Sequence, residues 1–303
     1  MRYHQAILVS CQIPWDEQER LLEQVFRQEI GRLISQGFNN VYIFGTAGEG
    51  YAVDTPRFEQ IVRIFREETR SEGVMPQVGV IGLSTANIVG RLGFAYDLGF
   101  RVFQISLPSW GALNDFELLT FFRDVSTSFP DARFLHYNLP RAKRVLNARD
   151  YRRIVDEVPN LVATKNTSAS IAETAALMRV VPELQHFFGE EQFPIGCLYG
   201  ECSLLSSFAP MLPRRTIEFF ELGRTRQWDR LFLMMRDYMK VVYDVLAPTE
   251  GLSLIDGAYD KMLIRLGGLD FPLRLLSPYQ GMPEEVFDAC SKILYERYSD
   301  WLG

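Results

Sequence analysis

The chain has 303 residues, of which 47% are hydrophobic, 13% aromatic and 23% charged, a composition that excludes a disordered or fibrous protein and leaves room for a large core. Its 32 basic and 38 acidic residues give a net charge of −6 without basic blocks, so there is no electrostatic footprint for nucleic acid. The four cysteines, Cys11, Cys197, Cys202 and Cys290, form no CxxC or Cys/His ligand set; they read as reduced core thiols, and no metal is expected.

The N-terminal apolar run, residues 6–11, gives way to polar residues too soon for a signal segment or a membrane span, so a cytoplasmic protein with no membrane partner is expected. From there one pattern recurs: a β-branched or apolar run, a turn with Gly, Pro or Asn, then a stretch with 3.6-residue periodicity. The runs are AILVSC (6–11), VYIF (41–44), QVGVI (77–81), VFQISL (102–107), RFLHY (133–137), LVATK (161–165), LQHFF (184–188) and SLLSS (203–207). Helices are predicted over 17–36, 56–71, 86–98, 115–128, 148–157 and 170–181, with Asp16, Thr55 and Asn114 as cap residues.

Runs apolar at nearly every position suit strands buried on both faces of a parallel sheet. Eight of them with intervening helices in about 200 residues predict an α/β fold, the (β/α)8 TIM barrel. After residue 213 the β pattern stops, and helical patterns continue to the C terminus. The expected division is a catalytic barrel, residues 1–223, and a C-terminal helical subdomain, residues 224–303, packed on it without a Gly-, Pro- or Ser-rich linker. The Met- and aromatic-rich stripe at 232–246 has helical spacing and reads as a packing face or subunit contact.

In such a barrel the chemistry belongs at the C-terminal ends of the strands. These carry GTAGEG (45–50), PSW (108–110), YNLP (137–140), KNTS (165–168) and GEEQ (189–192). An ammonium at the end of an interior strand loses hydration, which lowers its pKa from about 10.4 towards neutrality and yields the free amine that Schiff-base formation requires. Lys165 holds such a position; the alternative is a lysine that snorkels to the rim and stays solvated. Tyr137 ends the neighbouring strand, where its phenol can approach the amine and relay protons, although a core tyrosine with a bonded hydroxyl has the same pattern. GTAGEG fits neither glycine-rich phosphate motif, leaving a turn whose amides and Thr46 hydroxyl can meet a small carboxylate, or a turn with no ligand. His4, His136 and His186 lack ligand spacing, and His136 alternates with Tyr137, which directs it towards the helices.

GTAGEG, YNLP and the lysine of ATKNTS, in this order and spacing, resemble the dihydrodipicolinate synthase/N-acetylneuraminate lyase family, from about residue 5 into the C-terminal helices. The resemblance implies a class I aldolase or dehydratase, in which the strand-six lysine forms a Schiff base with pyruvate or another 2-oxo acid. It implies Lys165 as nucleophile, Tyr137 as general acid/base, and Thr46 with the Thr46 and Ala47 amides as carboxylate site. It implies no metal or organic cofactor, and a homo-oligomer, commonly a tetramer built as a dimer of dimers.

Departures from the family pattern bear on the substrate. Ala47 replaces a hydroxyl residue, Ala142 stands where synthases carry an arginine, and Trp110 stands where they carry a relay tyrosine; tryptophan cannot relay a hydroxyl proton. Lysine biosynthesis is therefore disfavoured. Sialic acid lyases are similar at Thr167 and at GEEQ, so Thr167, Gly189, Glu191, Gln192 and Ser207, with Ala47, are the expected substrate-binding residues. Yet Ala169, Ser170 and the GECSLLSSFAP segment differ from that branch too. The expected reaction is Schiff-base cleavage of a 2-oxo-3-deoxy sugar acid to pyruvate plus an aldehyde. The alternatives are a dehydratase using the same lysine, a dihydrodipicolinate synthase, and a 2-oxo acid binding or regulatory protein whose site is eroded by Ala47, Trp110 and Ser203.

Overall fold

The computed structural model describes residues 2–167 and 169–302; Ser168, which closes the KNTS motif, lies outside them. Eight parallel strands close into a barrel in sequence order: β1 (Ile7–Ser10), β2 (Asn40–Ile43), β3 (Gln77–Val80), β4 (Val102–Ile105), β5 (Arg133–Asn138), β6 (Leu161–Asn166), β7 (Gln185–Phe188) and β8 (Ser203–Ser206). Eight helices follow the strands in turn: α1 (Glu23–Ser35), α2 (Thr55–Glu68), α3 (Thr85–Asp97), α4 (Asp115–Ser128), α5 (Ala148–Val155), α6 (Ile171–Val180), α7 (Phe193–Tyr199) and α8 (Pro213–Arg224). Three more, α9 (Trp228–Leu246), α10 (Asp256–Leu266) and α11 (Glu284–Arg297), complete the chain. The architecture is the expected (β/α)8 barrel with a C-terminal helical extension. Among the described residues, no helix is long and apolar enough to cross a membrane.

Two expected helix starts move. The chain over 17–22 turns back on itself, with Asp16 accepting from the Gln18 and Arg20 amides and Trp15 bridging Leu21, so α1 begins at Glu23. Asp54, not Thr55, caps α2, because its carboxylate accepts from the Arg57 amide while Thr55 already lies within the helix. Asn114 caps α4 as expected, in a reciprocal pair with Glu117. The short α7 carries no cap signal and no long apolar period, which is why the sequence pattern does not announce it.

The strands alternate between two cores. Outward residues such as Val41, Ile43, Val78 and Phe103 pack under the helices, where His136 also sits, with its Nδ1 2.7 Å from the Tyr151 hydroxyl. Inward residues fill the barrel: Leu8, Tyr42, Leu135, Ala163, Phe187 and Leu205. The barrel floor is polar but mostly paired. Gln104 donates to Gln77, Gln77 to Tyr3 and Tyr3 to Asn40, while the Ser203 hydroxyl accepts from Gln185 and from the Ala6 amide. A separate apolar cluster joins α9, α10 and α11 through Tyr238, Val242, Met262 and Leu294.

Candidate functional site

Alternation along β6 turns Ala163 and Lys165 inward, and even-numbered strands contribute to the same interior layer of such barrels, so Lys165 meets β2 across the centre. Its Nζ donates to the Tyr42 hydroxyl at 2.7 Å and lies 3.9 Å from the centre of the Tyr137 ring, with Tyr137 its register partner on β5. Lys165 is 3% exposed. Burial draws its pKa down from 10.5 to about 7, against the opposing charges of Asp260 and Asp256. Space for this pairing depends on Gly45: a Cβ there would lie 2.8 Å from the Tyr42 ring and 3.5 Å from the Lys165 amine. Burial also pushes the Tyr137 phenol up to about 12, so it remains a neutral hydroxyl, and Thr46 donates to it at 3.4 Å. The lysine sits over the face of Tyr137 rather than at its hydroxyl; the hydrogen bond goes to Tyr42, which the strand pattern did not single out.

The loop after β2 brings Thr46 and Ala47 to the same place. The amides of Glu49 and Gly50 close the turn onto the carbonyls of Thr46 and Gly45, whereas the amides of Thr46 and Ala47 have no acceptor among the described residues. Adjacent N–H groups without an acceptor, next to a hydroxyl, are of a kind that can receive a small anion. The loop is held from beneath by a fully buried carboxylate: Glu49 accepts from the Lys261 amine at 2.7 Å, the Trp15 indole at 2.8 Å and the Leu276 amide at 2.7 Å.

Lys261 belongs to α10, and that helix forms part of the mouth. A Cβ on Gly257 would stand 2.9 Å from the Ala47 carbonyl, so only glycine lets the helix approach this closely. Asp256 holds Arg141, from the loop after β5, through two hydrogen bonds of 2.8 and 3.0 Å. Asp260 is buried. Burial and the Asp256 charge raise its carboxyl to about 8, against the pull of Lys165.

A buried amine near neutrality, two neutral phenols and unpaired loop amides meet at the C-terminal mouth of the barrel. The chain matches the Dihydrodipicolinate synthetase family over residues 4–296. The chain belongs to that family. N-acetylneuraminate lyase from Salmonella paratyphi B is 25% identical over 198 residues, spanning 65% of this chain and 66% of that one, so this match covers about two thirds of the relative's length. N-acetylneuraminate lyase 2 from Escherichia coli O6:H1 is 21% identical over 290 residues, 95% of this chain and 92% of that one. The fold is shared with YagE, a prophage protein of Escherichia coli K12 crystallised with pyruvate (TM-score 0.84, 16% identity, 96% of this chain and 98% of that one). It is shared equally with CdNal from Clostridium difficile in complex with mannosamine (TM-score 0.84, 17% identity, 98% and 100%).

Lys165, Tyr137 and the glycine loop thus converge, while the expected tail residues spread around the rim. Thr167 is exposed, and Gly189 and Gln192 are half-buried. Glu191 points outward and accepts from Tyr243 on α9. Its neighbour Glu190 is the buried acid, accepting from the Ser206 hydroxyl at 2.8 Å and the Ser207 amide at 3.1 Å, and thereby pinning the loop after β8. Ser203 is a floor residue paired with Gln185, so it takes no part in the mouth. A cavity of about 520 Å³ opens beside Thr46, on the side of β2 to β5, and among the expected site residues Thr46 alone lines it within the described part of the chain. Tyr42, Asp260 and Arg141 are the mouth residues that sequence reasoning missed. Inward alternation of VYIF could have found Tyr42, whereas α10 reaches the mouth only through tertiary packing.

Proposed function

We propose that this protein is a Schiff-base lyase acting on a pyruvate-derived 4-hydroxy-2-oxo acid, the class that includes the 2-oxo-3-deoxy sugar acids. The observation that carries the reading is the Lys165 amine, buried and drawn to about 7 between two phenols, next to the unpaired Thr46 and Ala47 amides. The free amine attacks C2 of the oxo acid, water leaves, and a protonated imine forms, with the substrate carboxylate on the two amides and the Thr46 hydroxyl. The imine draws in the electron pair of the C3–C4 bond as that bond breaks. The C4 hydroxyl gives up its proton and becomes the aldehyde, and the Tyr137 hydroxyl serves as the acid/base. Protonation of the enamine at C3 and hydrolysis return pyruvate and the free lysine. Thr167, Gly189, Gln192 and Ser207 follow β6, β7 and β8 and so belong to that side of the mouth.

The test is a panel of 4-hydroxy-2-oxo acids followed for released pyruvate and for water loss. Pyruvate release supports the lyase; water loss without pyruvate would assign a dehydratase using the same lysine. We further propose a cytoplasmic homotetramer. Its support is the family resemblance, four buried unpaired thiols suited to a reducing compartment, and the exposed apolar side chains Leu83, Trp110 and Phe116, 65%, 81% and 75% exposed. Sedimentation should give a tetramer, reduced in mass by Trp110→Asp; a monomer in both chains would refute the assembly.

A further inference from the structure

Outward positions of barrel strands pack under the helices, and on β2 and β3 they are apolar, as Val41, Ile43 and Val78 are. Behind Lys165 and Tyr137 they are polar. Thr164 and Asn166 flank Lys165, Asn138 follows Tyr137, and His186 is the β7 register partner of Thr164; all four are buried. They form one continuous chain of hydrogen bonds. Asn138 grips Leu146, just ahead of α5, accepting from its amide and donating to its carbonyl, both at 2.8 Å. This orients the Asn138 amide, whose nitrogen also donates to Asn166 at 3.1 Å, and the Asn166 nitrogen in turn donates to the Thr164 hydroxyl at 2.8 Å. The Thr164 oxygen lies 2.7 Å from His186 Nδ1, and His186 Nε2 lies 3.1 Å from the carbonyl of Val181, at the end of α6. A carbonyl only accepts, so Nε2 carries the proton, Nδ1 accepts from Thr164, and every link has one direction. Burial keeps His186 neutral, drawing its pKa down to about 4.

The backbone ladder between β5 and β6 is irregular. Phe134 pairs with Leu161 but Leu135 pairs with Ala163, so Val162 is passed over and its carbonyl accepts from the Tyr3 amide instead. Such an irregularity loosens register, and a one-residue slip would turn a side chain to the opposite face. The Asn138–Asn166 bond lies immediately beyond the Tyr137–Lys165 pair.

We propose that Asn166, Thr164 and His186 are positioning residues: through Asn138 they pin the ends of β5, β6 and β7 in the register that sets the Lys165 amine over the Tyr137 ring. The inference rests on the lyase reading and adds to it residues that never touch substrate. The chain does not reach the β2 loop that would hold the carboxylate, so its loss should slow the chemistry more than it weakens binding.

Pyruvate alone tests this. In deuterium oxide the lysine imine loses a proton from C3 to give the enamine; return of a deuteron and hydrolysis then yield deuterated pyruvate and the free lysine, and proton NMR follows the fading methyl signal. Thr164→Val, an isostere without the hydroxyl, should lower kcat for exchange at least about tenfold while KM for pyruvate stays within about threefold. Thr164→Ser keeps the hydroxyl and should retain most of the rate, whereas Asn166→Ala should be as slow as Thr164→Val. Thr164→Val/His186→Leu removes both partners of one link and so strands no Nδ1 acceptor; it should resist urea at least as well as Thr164→Val yet exchange as slowly. Three results overturn this inference alone: folded valine or double variants exchanging at the rate of the unaltered chain, a loss that Thr164→Ser shares, or a loss carried by KM rather than kcat. An unaltered chain that neither exchanges pyruvate nor gives a Lys165 adduct with borohydride overturns the lyase reading, and the inference falls with it.

Discussion

Lys165 on β6 donates a 2.7 Å hydrogen bond to Tyr42 on β2, across the full width of the barrel interior. The bond joins two residues of one layer, and Tyr137 presents its ring face to the same amine at 3.9 Å. A cation over a ring face and a bonded ammonium are favoured arrangements, while burial outweighs the Asp260 and Asp256 charges and leaves the amine titrating near neutrality. The amine is therefore held in place while charged and is available as a nucleophile at ordinary pH.

Tyr42→Phe removes the acceptor of that hydrogen bond and so destabilises the ammonium. The lysine pKa should fall further, and the pH profile of pyruvate trapping should move to lower pH. A profile that stays in place or moves up would show that Tyr42 does not tune the amine.

Lys165→Met should stabilise the fold, with a definite pH dependence. The folded pKa of about 7 lies below the unfolded 10.5, so between these values the unfolded chain binds the extra proton. The lysine's cost is complete below pH 7 and disappears above 10.5. At ~1.4 kcal/mol per unit its ceiling is roughly 5 kcal/mol. Calorimetry should show Lys165→Met raising Tm most at or below pH 7, with the gain shrinking towards pH 10. A gain that grows with pH would contradict this sign.

Glu49→Gln should be severely destabilising, because it strands the Lys261 ammonium in a site where both partners are 0% exposed. Breaking such a pair from one side costs about 3–5 kcal/mol, while replacing both partners by neutral groups can recover much of it. Denaturant unfolding should therefore find Glu49→Gln/Lys261→Met more stable than Glu49→Gln alone. A double variant as weak as the single one would mean that the other contacts of Glu49, with Trp15 and Leu276, carry the stability.

Tyr137→Phe keeps the ring beneath Lys165 and removes the hydroxyl. Trapping of pyruvate should persist at a reduced rate, while turnover of a 4-hydroxy-2-oxo acid should fall by about two orders of magnitude, the scale of one acid/base group. Near-normal turnover would take Tyr137 out of the proton path and leave Tyr42 as the remaining phenol.

The barrel was legible because apolar strands buried on both faces, separated by helical periods, have few other arrangements, and Lys165, Tyr137 and Thr46 lie at strand ends where local pattern and chemistry coincide. The rest of the mouth was not. Asp256, Asp260 and Lys261 arrive on α10 from the C-terminal extension, more than a hundred residues after Tyr137, and nothing in their helical period indicates which loop they meet. The choice between Glu190 and Glu191 depends on how the turn after β7 is packed. Adjacent acids look alike in sequence, but one is folded onto the β8 loop and the other faces Tyr243.

The central claim is that Lys165 forms a covalent imine with a 2-oxo acid. Incubation with pyruvate and borohydride, followed by peptide mass analysis, tests it most directly. The account predicts a reduced pyruvate adduct on the peptide containing Lys165, absent in Lys165→Met and diminishing as pH falls below about 7. An unmodified Lys165, or an adduct confined to surface lysines, would contradict it.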